Sequence, residues 1–391
     1  MSNSKKPIVL VFLGNYLPGF KAGGIIRSVQ NTINHLHGEF DFLVVTRDRD
    51  LGDGEAYPGI MTNQWQQVGN AKVYYLHSNS ETLNHVRHIL NTTQHDVLYL
   101  NSCFDYLTIS VLINRRLQRT NNISVVLTPR GEFAWASLSQ KYIKKQVFLL
   151  LAKILGLYRD VIWHASSKFE ANDIVDVMKI DADMVRVAFD FPTKQHVSAT
   201  FHQDCRGLSG EEQLRLVFLS RISPEKNLDY ALKLLGAVTA KVKFDIYGTI
   251  ENEVYWKVCQ HLISKLPANI KVHYGGSVQH CDVIPTLGKY DLFLFPSGGE
   301  AYGHVIAESL ISGTQVLIST NTPWRNLAEQ GLGWDIDLGD DKAFVSVIED
   351  LASLSDEYFF SRRTLIKTKI DKILLNPEVV AANRGLFRPK D

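Results

Sequence analysis

Two glutamates, Glu300 and Glu308, enclose the most informative segment of this chain. The segment follows an apolar run that ends at Phe295 and a Pro-Ser-Gly-Gly turn, and it leads into a second apolar run after Gly313. This order predicts strand, loop, helix and strand, with the helix starting near His304. Glu300 then lies in the loop, and Glu308 lies about one turn inside the helix.

The chemistry that such an arrangement favours is the binding of phosphate and hydroxyl groups. The N-terminus of a helix has free backbone N–H donors and a partial positive charge, and both suit a phosphate. A carboxylate on each side of that phosphate can bind hydroxyls at the two ends of a nucleotide-sugar. Two solvated glutamates on an ordinary crossover helix are the alternative, which the spacing alone does not exclude.

Two cations occupy a similar place at an earlier strand. The apolar run Leu214–Leu219 is followed by Ser-Arg-Ile-Ser-Pro-Glu-Lys-Asn, so Arg221 and Lys226 lie beyond the carboxyl end of a predicted strand. An arginine fork and a lysine point charge together suit a diphosphate. Asn227 is predicted to be the N-cap residue of the next helix. Solvated charges on a surface loop are the alternative for both cations.

A glycine-rich loop follows the first predicted strand, 8–13. It reads Gly-Asn-Tyr-Leu-Pro-Gly-Phe-Lys-Ala-Gly-Gly and ends at Gly24, where a helical pattern starts. Glycines at a strand-to-helix turn let the backbone approach a phosphate closely. The loop has neither the dinucleotide pattern nor the P-loop pattern, so it does not indicate NAD or ATP. A plain surface loop is the alternative, in which Lys21 and Arg27 are solvated rather than bound to an anion.

Strand-length apolar runs alternate with helical patterns in both halves of the chain. This alternation predicts βα units and mainly parallel sheets. The polar, aperiodic stretch 193–212 is predicted to be the linker between the halves. We therefore expect an α/β protein with two Rossmann-like, doubly wound domains, 1–195 and 213–375, that face each other across a cleft. The tail 376–391 is expected to pack back on the first domain.

Composition limits the classes of partner. The 391 residues include 42 Lys and Arg against 41 Asp and Glu, for a net charge of +1, so no global field favours nucleic acid and we expect no such partner.

The four cysteines lie far apart without metal-ligand spacing, which is typical of a reduced, cytoplasmic protein. No Asp-x-Asp stands clearly between a strand and a turn, so we expect neither metal nor cofactor. No apolar run reaches the ~18 residues of a membrane-spanning helix.

Taken together, these segments resemble the retaining nucleotide-sugar glycosyltransferases of the large bacterial polysaccharide and glycolipid group, the group 1 glycosyltransferases with the GT-B fold. The motifs that carry the resemblance are the loop 18–24, the Arg221 and Lys226 segment, and 296–308. Three further segments resemble a subgroup that makes exopolysaccharide or O-antigen, and these are 46–53, 129–132 and 166–170.

The resemblance implies a role for each matching residue. Arg221 and Lys226 would hold the donor diphosphate and stabilise its charge as it leaves, and Glu300 would meet hydroxyls of the transferred sugar. Glu308 would bind the ribose. The residues implied to bind the rest of the donor are Gly23, Gly24, Gly248, Val278, Ala301, Tyr302, Gly303, His304 and Val305. His304 and Val305 differ from the commonest form of the family motif.

On the acceptor side the resemblance is less direct. Many members of the family have a His-Gly pair near the reacting sugar, where this chain has Arg130 followed by glycine. Arg130 is therefore expected to contact donor or acceptor, and Glu132 to accept the proton of an acceptor hydroxyl. Lys21 and Arg27 are the other acceptor-side candidates.

The implied activity is that of a metal-independent, retaining hexosyltransferase. It would move a sugar from a nucleotide diphosphate-sugar, with UDP as the expected nucleotide, to a glycan or lipid-linked saccharide of an O-antigen, capsule or exopolysaccharide. A sugar-nucleotide epimerase of the same fold is one alternative. A non-catalytic protein that binds sugar nucleotides is another, although both cations and both carboxylates are present.

The segment 139–159 is apolar on one side and rich in lysine elsewhere. This pattern is typical of a helix that lies on an anionic membrane surface, where it would bring a lipid-linked acceptor to the site. An ordinary domain helix, with its core face at 149–151 and solvated lysines, explains the pattern equally well. The first interpretation predicts a cytoplasmic protein that is peripheral at the inner face of the cytoplasmic membrane.

Overall fold

The computed structural model describes residues 5–77, 82–118, 123–139, 141–194 and 213–388. The chain forms two units, residues 1–194 with 377–391, and residues 195–376. Each unit has its own sheet and hydrophobic core, which confirms the α/β fold with two Rossmann-like domains. From residue 195 onwards, the predicted linker lies outside the described residues.

The sheet of the first unit has eight strands among the described residues. These are β1 (Ile8–Phe12), β2 (Asp41–Arg47), β3 (Trp65–Val68), β4 (Ala71–Leu76), β5 (Val97–Asn101), β6 (Ser124–Thr128), β7 (Val161–Ala165) and β8 (Val185–Val187). Their spatial order is β3-β4-β2-β1-β5-β6-β7-β8, and each pair is parallel except β3 with β4. All residues of the central strand β5 are buried, as its unbroken apolar run predicts for a parallel strand covered on both faces.

Helices connect these strands. They are α1 (Gly24–Leu36), α2 (Thr82–Thr92), α3 (Tyr106–Gln118), α4 (Trp135–Leu138), α5 (Tyr142–Ile154) and α6 (Lys168–Met178). α1 shows why the sequence folds in this way, because Ile26, Val29, Ile33 and Leu36 recur at helical spacing and are all buried.

The sheet of the second unit contains six parallel strands in the described part of the chain. These are β9 (Leu214–Leu219), β10 (Val242–Tyr247), β11 (Ile270–Tyr274), β12 (Leu292–Phe295), β13 (Gln315–Ser319) and β14 (Gly333–Ile336). Their order is β11-β10-β9-β12-β13-β14. The chain moves outward from β9 to β11 and then returns to the other side of β9 as β12. The strand order therefore reverses between β9 and β12, and this is the position where such sheets bind ligands.

The helices of the second unit cover this sheet. They are α7 (Leu228–Leu235), α8 (Glu253–Ile263), α9 (Val283–Leu287), α10 (His304–Ser312), α11 (Leu327–Gln330), α12 (Asp341–Ala352) and α13 (Asp356–Leu374), with short 3-10 helices at Pro224–Lys226 and His280–Asp282. α10 begins at His304, as the sequence predicts. It ends at Gly313, whose positive φ of 84° is typical of a glycine that terminates a helix.

The last helix, α14 (Pro377–Leu386), belongs to the first unit. Phe387, which follows it, is fully buried, and its ring centroid lies 5.8 Å from that of Phe40, 5.9 Å from Phe42 and 5.0 Å from Tyr99. These aromatic contacts attach the end of the chain to the sheet of the first unit. Among the described residues, no helix is long and apolar enough to cross a membrane.

Candidate active site

The loops after β9 and β12 meet at the carboxyl edge of the second sheet. The backbone N–H of Gly298 donates to the Glu225 carbonyl at 2.8 Å, and Nδ2 of Asn227 donates to the Pro296 carbonyl at 3.0 Å. Asn227 stands at the predicted N-cap position, but its side chain makes no capping bond to α7. Asn227 therefore stands at the N-cap position, as predicted, but its side chain does not cap the helix. The side chain instead joins the two loops where the strand order reverses.

Lys226 and Glu300 form an ion pair between these two loops. Nζ of Lys226 lies 2.7 Å from Oε1 of Glu300, and the side chains are only 12% and 13% exposed. Oγ of Ser297 donates to the same carboxylate oxygen at 2.8 Å, and the Glu300 backbone N–H donates to the Asn321 carbonyl at 3.1 Å. The contacts with Lys226 and Ser297 both hold the carboxylate through Oε1.

Arg221 lies close to this pair and is held by two carboxylates. Its Nη1 is 2.7 Å from both carboxylate oxygens of Glu251, and its Nη2 is 3.3 Å from Oε1 of Glu225. Burial raises the pKa of Glu225, but hydrogen bonds, including one from Ser223, and the charges of Arg221 and Lys226 outweigh burial and lower that pKa overall. The Arg221–Glu251 pair is exposed to water, which screens it, so a more highly charged anion can replace Glu251 at small cost.

The N-terminus of α10 starts four residues after Glu300. The preceding residue, Gly303, has a positive φ of 82°, and a Cβ there would lie 2.8 Å from the Ile306 side chain, so the turn requires glycine. Nε1 of Trp324, which is buried, donates to the Tyr302 carbonyl at 2.6 Å and holds this turn. The turn and the start of the helix contain the predicted donor-binding residues Ala301, Tyr302, Gly303, His304 and Val305. At the start of the helix, the Ile306 and Ala307 N–H groups donate to the Gly303 carbonyl at 2.9 and 3.3 Å.

Three other predicted donor-binding residues lie around this edge. Glu308 is buried on α10, with its Oε1 3.9 Å from Nδ1 of His280. Val278, in the loop after β11, packs against the core. Gly248 follows β10 with a φ of 146°, and a Cβ on it would lie 1.7 Å from the Ser220 carbonyl oxygen. The backbone ends of β9 and β10 can approach each other so closely only because this residue is glycine.

In the first unit, Asp50 holds the glycine-rich loop. Its Oδ2 accepts the backbone N–H groups of Phe20 at 2.8 Å and of Lys21 at 3.1 Å. Nζ of Lys21 lies 2.5 Å from Asp53, and Gly23 has a positive φ of 64°. The predicted residues of this loop and of the first turn of α1 are Lys21, Gly23, Gly24 and Arg27. Lys21 is paired with an exposed carboxylate, so it can bind another anion only by exchanging that partner.

Arg130 lies at the centre of a buried polar network. Its Nη1 is 2.6 Å from Oδ1 of Asp190, its Nη2 is 2.7 Å from the Tyr99 hydroxyl, and its Nε is 3.2 Å from Oδ1 of Asn101. Oδ2 of Asp190, in the segment after β8, accepts a bond from the Ser28 hydroxyl at 2.6 Å, so Asp190 connects α1 to Arg130. The Arg130 side chain is only 4% exposed. Through these contacts Arg130 stabilises the packing of the first unit. Its contact with donor or acceptor stays a prediction.

Glu132 follows β6 at the same edge of the first sheet. Oγ of Ser102 donates to its Oε1 at 2.5 Å, and the Cys103 backbone N–H donates to its Oε2 at 2.6 Å. Burial raises the pKa of Glu132 to about 7, against the opposing effect of these hydrogen bonds and of the Lys145 charge. A carboxyl that titrates near neutral pH suits proton exchange with a hydroxyl, which is the role the sequence predicts for it.

We expect Glu132→Gln to remove a pH-dependent part of the folding stability. The ordinary pKa of 4.5 applies to the unfolded chain, so the folded state binds the extra proton between that value and about 7. The stability from this group is therefore present below about pH 4.5 and is lost as pH rises through about 7. Relative to Glu132→Gln, the wild-type free energy of unfolding should fall by about 3 kcal/mol over this range.

Urea unfolding of both proteins at pH values across this range measures the difference. Glu39→Gln, at the exposed ion pair with Arg384, is the control and should leave the pH profile unchanged. Parallel stability profiles for wild type and Glu132→Gln would show that folding does not raise the pKa of this carboxyl.

Residues 205–370 match the family model described as "Glycosyl transferases group 1". The matched range contains Arg221, Lys226, Glu300 and Glu308. The second unit is a group 1 glycosyltransferase domain. This confirms the family that the sequence motifs resemble.

One known relative of this chain is a protein of Klebsiella pneumoniae described as an "Uncharacterized 41.2 kDa protein in cps region". It is 24% identical over 246 residues, which cover 62% of this chain and 65% of the relative. The match thus spans slightly less than two thirds of that protein.

Several solved structures share the fold of this chain. HepE of Anabaena, in complex with UDP and glucose, has a TM-score of 0.69 at 15% identity over 97% of this chain and 98% of its own. Sucrose-phosphate synthase from Thermosynechococcus elongatus has a TM-score of 0.70 at 13% identity, with the same coverage of 97% and 98%. WaaG, a glycosyltransferase involved in lipopolysaccharide biosynthesis, has 0.68 at 13% identity over 97% and 98%. At these identities the likeness shows the fold, and it confirms the predicted GT-B fold.

Sequence reasoning missed several residues that position this site. Ser297 and Glu225 lie inside the motifs, but their bonds run between loops and no local pattern reveals them. Glu251, the partner of Arg221, is 30 residues away from it and lies in no motif. Trp324, whose Nε1 donates to the Tyr302 carbonyl, also lies outside the motifs.

Proposed function

We propose that this chain transfers a sugar from a UDP-sugar to a glycan or lipid-linked saccharide acceptor of a surface polysaccharide. Transfer retains the anomeric configuration and requires no metal. The observation that carries the proposal is the Lys226–Glu300 pair, which lies at the strand reversal of a group 1 glycosyltransferase domain and next to the start of α10. A cation, a carboxylate and helix N–H donors at one sheet edge are the groups that a diphosphate-sugar needs.

In the proposed reaction the bond between the anomeric carbon and the diphosphate oxygen breaks, and the diphosphate gains negative charge. Lys226, Arg221 and the N–H groups at 302–305 stabilise that charge, which is the largest contribution in most such sites. Arg221 exchanges Glu251 for the diphosphate, because a phosphate carries more charge and accepts two parallel bonds from the guanidinium. No separate protein nucleophile is required, since the acceptor hydroxyl attacks the same face within a short-lived ion pair.

The remaining predicted residues bind the two substrates. Oε2 of Glu300 accepts bonds from hydroxyls of the sugar, and Glu308 binds the ribose. In the first unit, Glu132 accepts the proton of the attacking hydroxyl. The further donor-binding residues are Gly23, Gly24, Gly248 and Val278, and the further acceptor-side residues are Lys21, Arg27 and Arg130.

Two comparisons support the choice of donor and pathway. Structures of HepE, which shares the fold, contain UDP with glucose and UDP-glucose. The relative from Klebsiella pneumoniae is described by its place in a cps region, which agrees with a surface polysaccharide.

A thermal-unfolding series with UDP-, GDP- and dTDP-sugars tests the donor. A ligand at 100 times its Kd stabilises the folded state by about 2.7 kcal/mol, so we expect UDP-sugars to raise the Tm by several degrees. The other two nucleotides should raise it less. An equal or larger effect of a GDP-sugar would contradict UDP as the nucleotide.

Activity assays with the donor found in this way distinguish a transferase from an epimerase and from a binding protein. A transferase releases UDP when an acceptor saccharide is supplied, whereas an epimerase alters the sugar without an acceptor, and a binding protein does neither. The rate should be unchanged by a metal chelator, and the anomeric configuration of the product, read by NMR, should match that of the donor. Loss of activity with chelator, or an inverted product, would contradict the corresponding part of the proposal.

A further inference from the structure

Helix α5 exposes an apolar surface on the first unit. It packs inward through Leu149 and Ala152, while Ile143 and Ile154 are 77% and 71% exposed. The exposed large apolar residues of the helix and its C-terminal end are Tyr142, Ile143, Val147, Leu150, Leu151, Ile154 and Leu155. A core face at 149–151 is therefore not what the structure shows, because only the first of these three leucines is buried.

Five of these exposed residues form one stripe along α5. Positions 143, 147, 150, 151 and 154 fall within an arc of about 100° on a helix with 3.6 residues per turn. The same geometry places Lys144 about 20° beyond one edge of this stripe and Lys153 about 60° beyond the other, where its Nζ donates to the Val177 carbonyl at 2.9 Å. At the N-terminal end of the stripe, Trp135 is 75% exposed, and its ring centroid lies 6.3 Å from that of Tyr142. We call Trp135 together with 142–155 the α5 face.

The surroundings of the α5 face are basic. Residues 133–159 include no Asp or Glu and five basic residues, namely Lys141, Lys144, Lys145, Lys153 and Arg159. Since the whole chain has a net charge of only +1, this is a local concentration of positive charge. An apolar stripe with Lys144 near one edge and aromatic rings at one end fits the interface of an anionic bilayer. A second copy of the chain fits less well, because two such faces would bring their lysines together.

We propose that the α5 face binds the anionic surface of a lipid bilayer, with its apolar stripe below the headgroups and Lys144 at the phosphates. Binding would hold the chain at the inner face of the cytoplasmic membrane. This surface is separate from the donor site in the second unit.

The position of α5 also narrows the acceptor class. Lys145 donates to the Ser137 carbonyl at 2.6 Å, and its charge acts on the Glu132 carboxylate. The helix that carries the α5 face is thus next to the carboxylate proposed to receive the acceptor proton. A saccharide anchored in the bilayer is the acceptor that this arrangement fits, and this inference rests on the proposed function.

Vesicle co-sedimentation of the full chain, without any sugar nucleotide, tests the α5 face. The vesicles contain phosphatidylglycerol and phosphatidylcholine in varied ratio. We expect the bound fraction to rise with the phosphatidylglycerol content and to fall with salt. The double variant Ile143→Ser and Ile154→Ser should bind at least about tenfold more weakly, and Lys144→Gln about threefold more weakly on anionic vesicles. Leu117→Ser, 66% exposed on α3 of the same unit, is the matched control and should bind like wild type.

Several outcomes would overturn the proposal. These are no sedimentation with anionic vesicles, equal binding to pure phosphatidylcholine, or unchanged binding of the double variant. A dimer in solution that the double variant dissociates, without vesicle binding, would assign the face to a second copy. UDP release with a water-soluble acceptor should stay normal in the double variant, so failure of vesicle binding alone would leave the proposed function intact.

Discussion

Lys226→Ala is expected to lower the turnover of the transfer reaction at least about 100-fold, which corresponds to about 2.7 kcal/mol of activation barrier. The variant loses the ammonium that stabilises the leaving diphosphate, and it leaves the Glu300 carboxylate with the Ser297 hydroxyl as its side-chain partner. Glu300→Ala should have an effect of similar size, because it removes the group that orients both the lysine and the sugar. Acceptor-dependent release of UDP, measured at saturating donor, gives the turnover.

The control for this experiment is Lys233→Ala. Lys233 is more than half exposed on α7 and pairs with Asp229, so its loss should change turnover less than about twofold. Lys226→Met keeps the length of the side chain and removes only the charge, so it should be as inactive as Lys226→Ala. If Lys226→Ala and Glu300→Ala both retain near-normal turnover, the assignment of the active site is wrong.

The sequence predicts the elements of this fold well because their signals are local. Apolar runs of strand length mark the parallel strands, and Gly313 marks the end of α10. The start of that helix at His304 follows from the same pattern. The Arg221, Lys226 and Glu300 motifs lie beyond strand ends, so the topology alone brings them to one edge of the second sheet.

The partners of these residues depend on contacts between distant loops, which no local pattern contains. The Asn227 side chain could cap α7 or bond across to another loop, and only the position of the Pro296 carbonyl decides between them. The same limit applies to Arg130. Its motif suggests a residue that meets a substrate, but Asp190, far along the chain, reaches it at 2.6 Å in a buried position.

The α5 segment could not be interpreted from periodicity for another physical reason. A helix that faces a hydrophobic core and one that faces lipid have the same spacing of apolar residues. Leu149, Leu150 and Leu151 are adjacent in the sequence, and burial distinguishes the first from the other two.

Gly248→Ala is expected to destabilise the second unit by at least about 3 kcal/mol and to abolish donor binding. A Cβ at this position would lie 1.7 Å from the Ser220 carbonyl oxygen, in a backbone conformation with a φ of 146° that other residues avoid. The backbone cannot easily move away. The Gly248 N–H donates to the Gly276 carbonyl at 2.8 Å, and the Gly248 carbonyl accepts a bond from the Tyr274 hydroxyl at 2.8 Å.

Gly299→Ala is the matched control, because it lies in the same unit and at the same sheet edge, but no atom lies within 4 Å of the added Cβ. Its free energy of unfolding in urea should stay within about 0.5 kcal/mol of wild type. Equal stability of the two variants would mean that the ends of β9 and β10 can separate without cost. Arg221 follows Ser220 directly, so its backbone would then not be held rigidly by this contact. Preorganisation of the diphosphate site could not depend on the close approach of Gly248 to Ser220.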